Sequence, residues 1–299
     1  MAKFDKTSRI GFIGAGGVGG ALSVALSKKG YPIAAAASRT FASTEKLAAR
    51  VKGCKACKTT QEVADRADVV IITTFDGAIG PVASGIRWRP GQGVVHCSGV
   101  TGLGVFADAV KQGAVPGALH PLQAFASVDE AVNALPGSTF GIEADGDMRE
   151  YLKAMTLDLG GRPIFLKAED RPLYHASVVT LGGLFLAMSG VAADIWKNFG
   201  VERNDALKAI LPIVRGCVDT LEANGLPGGL AGPYARGDVG TVKKHLDSLK
   251  ARAPQALPMY AHIALAGMGL AREKGRANPK DLDEIERLLK KCIKENPAA

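Results

Sequence analysis

Ile10-Gly11-Phe12-Ile13-Gly14-Ala15-Gly16-Gly17-Val18-Gly19-Gly20-Ala21-Leu22 is the stretch on which the reading of the fold turns. A short apolar run ends in G-x-G-x-x-G, and a helical pattern follows at once. Gly14 permits a tight turn after the strand, Gly16 lets the backbone approach a pyrophosphate, and Gly19 allows close packing of helix on strand. The helix start adds free N–H groups and a positive dipole end. Gly14, Ala15, Gly16, Gly17, Val18 and Gly19 are therefore expected to cradle the phosphates of a dinucleotide. Alone the pattern is common; its place between a strand and a helix, inside a βαβ unit, gives it meaning.

Outward from this turn, further apolar runs at Pro32–Ala37, Asp68–Thr73, Gly93–Cys97 and Ala114–Leu119 read as strands, with helices over 17–29 and 41–51. Shorter strands are expected near 138–143 and 162–166. Strands that alternate with helices imply βαβ units and a parallel sheet. Beyond Lys167 the period changes to 3.6, over roughly 169–199, 203–224, 238–250, 255–274 and 279–294. The expectation is an α/β Rossmann domain with a doubly wound, mainly parallel sheet over 1–167, followed by an all-α substrate and dimerisation domain over 168–299.

The second strand ends in Ala37-Ser38-Arg39-Thr40, where an NAD site places an acid on the ribose 2′-hydroxyl. Here no acid occurs before Glu45. A guanidinium between two hydroxyls suits a 2′-phosphate, so Ser38, Arg39 and Thr40 point to NADP(H). Ligands of such sheets lie across the carboxyl ends of the strands, which brings Thr73 and Thr74 to the nicotinamide half. Hydride transfer also requires a group that handles a proton, and histidine is the commonest choice at neutral pH. His96 and Ser98 follow one strand, His120 and Gln123 follow the next, and Tyr174-His175 opens the long helical segment. His245 and His262 fall within helices and read as structural.

Composition excludes several classes. The chain has 299 residues, 47% of them hydrophobic and 22% charged, which is ordinary for a globular protein of two domains. Its formal net charge is +8, but bases and acids interleave and no aromatic-basic stripe appears, so a polyanionic cofactor explains the charge better than nucleic acid. Five cysteines without a repeated spacing read as free thiols; Cys54-Lys-Ala-Cys57 lacks the second ligand pair of a zinc site, and no metal is expected. The polar start, Met1 to Arg9, has no apolar signal segment, and cytoplasm is the expected compartment. His175 to Ala193 carries no Lys, Arg, Asp or Glu and is long enough to span a bilayer. Its glycines and its lack of flanking cations and aromatic belts favour a central or dimer-forming helix over a membrane span.

Together Gly14-Ala-Gly-Gly-Val-Gly19, His96-Cys-Ser-Gly99, His120-Pro-Leu-Gln123, Tyr174-His175-Ala176 and Gly232-Pro-Tyr-Ala-Arg236-Gly-Asp238 resemble the Rossmann-like oxidoreductases that carry the C-terminal domain of unknown function 2520. That family is similar to pyrroline-5-carboxylate reductase and to the 6-phosphogluconate and 3-hydroxyisobutyrate dehydrogenases. The resemblance implies NADP(H), a homodimer and a helical domain that closes over the nicotinamide. The hydroxyacid dehydrogenases use a Lys and an Asn one helical turn apart, whereas this chain reads Val178-Val-Thr-Leu-Gly-Gly-Leu. His120-Pro121 resembles the His-Pro of prephenate dehydrogenases. Asp238 is placed to cap the helix that follows it, and Arg236 is placed either to hold a substrate carboxylate or to anchor its loop. The expected activity is hydride transfer between NADP(H) and a small carbonyl or imine, with His120, His175, Ser98 and His96 as catalytic candidates and Gln123, Tyr174 and Arg236 as substrate contacts. A reductase of a bulky cofactor such as deazaflavin and a noncatalytic NADP sensor are the alternatives.

Overall fold

The structure, a computed structural model, describes residues 4–296. It divides into two compact units, Met1–Thr180 and Leu181–Ala299. The division falls inside the long apolar segment, beyond the expected boundary at 167, so Tyr174 and His175 belong to the first unit.

In the first unit an eight-stranded sheet runs β3-β2-β1-β4-β5-β6-β7-β8. The strands are β1 (Ile10–Ile13), β2 (Ile33–Ala37), β3 (Lys55–Ala56), β4 (Val69–Ile72), β5 (Gly93–His96), β6 (Val115–Pro121), β7 (Thr139–Glu143) and β8 (Arg162–Phe165). The first six are parallel, β7 is antiparallel to β6, and β8 runs parallel to β7. The helices are α1 (Gly17–Lys28), α2 (Phe41–Ala49), α3 (Thr60–Arg66), α4 (Asp76–Ser84), α5 (Ala107–Lys111), α6 (Val128–Ala134), α7 (Gly146–Asp158) and α8 (Arg171–Leu181). β1, β4 and β5 are buried at every position, as a parallel sheet covered on both faces requires. Two apolar clusters flank the sheet, one around Leu22, Leu26 and Met148, the other around Val63, Ile79 and Phe106. The order reverses between β1 and β4, which opens a crevice at their carboxyl ends.

The second unit holds α9 (Gly183–Ile195), α10 (Arg203–Asn224), α11 (Pro233–Arg236), α12 (Val239–Arg252), α13 (Leu257–Ala266), α14 (Met268–Lys274) and α15 (Pro279–Glu295). Its core is Val242, Leu246, Leu257, Ala261, Met268, Leu282, Ile285 and Leu289, from α12 to α15. Asp238 caps α12 as its position suggests, accepting from the Thr241 N–H at 2.9 Å. The apolar segment departs from the central-helix expectation. By length and composition Ala168–Phe199 is able to cross a membrane, and only 6% of its most apolar window is buried. The physical reason is that α12 to α15 close their core among themselves, so Leu181, Leu184, Leu186 and Ile213 stand more than half exposed.

Candidate functional site

The turn after β1 is built by contacts that only glycine permits. Gly14 sits at φ +114°, its N–H donating to the Ala37 carbonyl at 2.8 Å. The Thr73 hydroxyl, at the end of β4, donates to the Gly14 carbonyl at 2.9 Å. A Cβ at Gly19 would lie 2.1 Å from that same carbonyl, so α1 meets β1 backbone to backbone. Gly16, the cap of α1, is exposed, and a Cβ there would meet nothing within 4 Å. No side chain caps α1 and no acid lies in its first turn. The open space thus faces uncapped N–H groups and a positive helix end, the requirements for a pyrophosphate. Ala15 and Val18 border the space half-buried, and Gly17 packs under the Phe125 carbonyl. Thr74 adds a buried hydroxyl oxygen without a hydrogen-bond partner among the described residues.

At the end of β2 the hydroxyls are used for folding and the cation is left free. Ser38 Oγ donates to the Thr40 carbonyl at 2.8 Å, and the Thr40 and Ser43 hydroxyls meet at 3.0 Å. Arg39 is exposed and makes no hydrogen bond or ion pair among the described residues.

The carboxyl ends of β5 and β6 and the first turn of α8 converge on a second cluster. His120 Nδ1 lies 2.9 Å from the Tyr174 hydroxyl, and the His120 and His175 ring centroids are 5.7 Å apart. Gly99 fits beneath both rings; a Cβ there would come within 2.3 Å of His175 Cδ2 and 2.9 Å of His120 Nε2. Burial, then His175 and Arg171, push His120 down to about 4, with Asp76 opposing. Burial pushes Tyr174 up to about 12. At neutral pH both groups are therefore uncharged, joined by one hydrogen bond between Nδ1 and Oη.

His96 and Ser98, at the end of β5, are hydrogen-bonded within the turn that follows it. His96 is fully buried, accepts from the Ser98 N–H at 3.2 Å, and is pushed down to about 3 by burial and Arg171. Ser98 Oγ accepts from the Val100 and Thr101 N–H groups and bonds the Thr101 hydroxyl at 2.9 Å, which fixes the turn. Gln123, expected at substrate, donates its amide N–H groups to the Ala134 carbonyl at the end of α6 and to Ser138 Oγ before β7. Arg236 is exposed on the second unit, and its side chain makes no hydrogen bond or ion pair among the described residues.

Two residues of this site have no signature in the sequence. Arg171 is fully buried, its Nη2 donates to the Ser98 carbonyl, and its Nε stands 3.4 Å from Glu143 Oε2. Among the described residues, neither Arg171 Nε, Arg171 Nη1 nor Glu143 Oε2 completes a hydrogen bond. Arg171 lies beside Glu169 and Asp170 in the chain and so resembles any solvated charge; only the tertiary contacts set it apart.

Comparison with known proteins agrees with this construction. Residues 4–121 match the Rossmann-like domain and residues 138–266 the domain of unknown function DUF2520. No curated protein matches the chain in sequence. Among solved structures, an NADP oxidoreductase (by name), BF3122 from Bacteroides fragilis, is 25% identical, covers 87% of this chain and 98% of its own, and superposes at a TM-score of 0.71. An imine reductase from Pseudomonas sp. is 20% identical over 96% of this chain and 99% of its own, at 0.62. A reductive aminase from Aspergillus terreus, in complex with NADPH and ethyl-5-oxohexanoate, is 16% identical over 97% and 94%, at 0.59.

Proposed function

For a chain that joins a Rossmann-like domain to DUF2520, we propose an NADP(H)-dependent oxidoreductase that transfers a hydride between the nicotinamide and a small carbonyl or imine. The observation that carries this is the turn at Gly14–Gly19, closed by Thr73 and Gly14 on one side and open above Gly16 on the other. The 25% identity to an NADP oxidoreductase by name supports the same cofactor.

Gly14 to Gly19 hold the pyrophosphate through backbone N–H groups, and Arg39 takes the 2′-phosphate. Thr73 and Thr74, after β4, border the nicotinamide half. When bound, the nicotinamide supplies or accepts the hydride. The chain's own part is proton handling. Neutral His120 and protonated Tyr174 are joined by one hydrogen bond between Nδ1 and Oη, and His175 acts as the acid beside them. Holding His120 neutral keeps a second cation out of a site that already holds Arg171, while leaving a donor in place. Arg236 is the candidate for a substrate carboxylate.

The same reading includes a homodimer in the cytoplasm, where the five cysteines stay reduced. A second copy supplies the cover that the apolar side chains of Leu181, Leu184, Leu186 and Ile213 lack within one chain. An apolar hollow of about 600 Å³ beside them, lined by Phe185, Met188, Ile210, Val214 and Ile263, belongs to the same face.

The test is a fluorescence titration with NADPH and NADH, on wild type and Arg39→Ala. A charge-assisted phosphate contact is worth about 1.5–3 kcal/mol, so Arg39→Ala is expected to weaken NADPH by one to two decades and leave NADH unchanged. No binding of either nucleotide by wild type overturns the reading. Light scattering of the same sample in buffer without detergent is expected to give about twice 31.0 kDa; a 31.0 kDa species, or a requirement for detergent, removes the dimer.

A further inference from the structure

We propose that Arg171 is the positioning residue of this site: held beside Glu143, its guanidinium clamps the Ser98 carbonyl, seats Gly99 under His120 and His175, and places a fixed positive charge behind His120. The proposal rests on the reading of His120 as the group that handles the proton.

Three observations support it. A fully buried arginine is rare and costly unless paired, and here the pairing is with Glu143 at 3.4 Å and with a backbone carbonyl of the turn that carries Gly99. Three nitrogen and oxygen atoms of the pair make no hydrogen bond, so the pair is not optimised for stability. The guanidinium belongs to the first turn of α8, the same turn that carries Tyr174 and His175, so one helix start delivers the clamp, the hydrogen-bond partner of His120 and the second imidazole.

The charged and titratable groups around His120 come from every side: His175, Tyr174 and Arg171 from α8, Asp76 from α4 and His96 from β5. Of these Arg171 and His175 oppose a proton on His120 and Asp76 favours it. Without Arg171, His120 takes up a proton more readily, and the contact to Tyr174 becomes one between an imidazolium and a phenol oxygen.

The test is the proton titration of His120 in full-length protein carrying labelled histidine, followed by NMR and assigned with His120→Gln. In wild type the midpoint is expected near 4. Arg171→Met is expected to raise it towards 6.5, while Arg171→Lys, which keeps the charge, leaves it at the wild-type value. A residue that served packing alone would move both variants alike. An unchanged midpoint in folded Arg171→Met, or an equal rise in Arg171→Lys, overturns the proposal. Should Arg171→Met fail to fold, Arg171→Gln decides, since it keeps a polar partner for the Ser98 carbonyl but no charge: the same rise is expected, and an unchanged midpoint is fatal to the idea. NADPH titration of the same samples separates the two readings, because absence of nucleotide binding removes the oxidoreductase without touching the histidine titration.

Discussion

Two glycine turns at the carboxyl edge of one sheet are built to opposite ends. Above Gly16, after β1, an added Cβ would meet nothing within 4 Å; at Gly99, after β5, it would meet two imidazoles within 2.9 Å. The first glycine is small so that a ligand has room, the second so that the protein's own side chains can close in. The first turn is stitched by one hydroxyl, Thr73, and ends in uncapped N–H groups. The second is backed by a buried ion pair and a buried histidine. A glycine-rich loop is therefore informative about binding only once its surroundings are known.

Substitutions separate these roles, and the largest effect is expected at the closed side of the first turn. Gly19→Ala drives a methyl into the Gly14 carbonyl, backbone against backbone; urea unfolding should show a loss of about 3 kcal/mol with nucleotide binding gone. A near-wild-type stability would mean the turn has slack that the contact distances deny.

Acid comes next. His96 and His120 titrate near 3 and 4 in the folded protein and near 6.5 once unfolded. The unfolded chain therefore binds more protons between those values, so stability is intact above about pH 7 and is lost as pH falls below 6.5. By pH 5.5 each imidazole should have removed about 1.4 kcal/mol, and His120→Gln should flatten its share of the slope. A flat profile between pH 7 and 5.5 would contradict the burial of both rings.

Gly99→Ala should cost less, about 1–2 kcal/mol, because the rings it meets can rotate away, and NADPH affinity should stay within about twofold. Gly16→Ala is expected to be the mildest for folding, within about 0.5 kcal/mol, yet to weaken NADPH about tenfold by filling the open space. If Gly16→Ala harmed folding and spared binding, the contrast between the two turns would collapse.

Much of this was legible in the linear chain because it depends on local rules. Alternating apolar runs located seven of the strands, and the change of period after Lys167 located α9, α10, α12 and α15, with α13 and α14 read as one segment and the single turn α11 missed. β3, two residues long, escaped because a strand so short has no period to read. The capping role of Asp238 was visible from its place before a helix, and the glycines from their spacing. The sequence by itself thus determined the sheet, the dinucleotide turn and the absence of an acid beside Arg39. Tertiary structure alone decided that Ser98 and Gln123 are hydrogen-bonded to neighbouring segments, that His96 is fully buried, and that the apolar helix is uncovered within one chain. It alone decided, too, that Arg171 joins Glu143 and Ser98. Spacing along the chain encodes backbone conformation, whereas burial and charge pairing between residues as distant as Ser98 and Arg171 arise only when separate strands and a helix start meet.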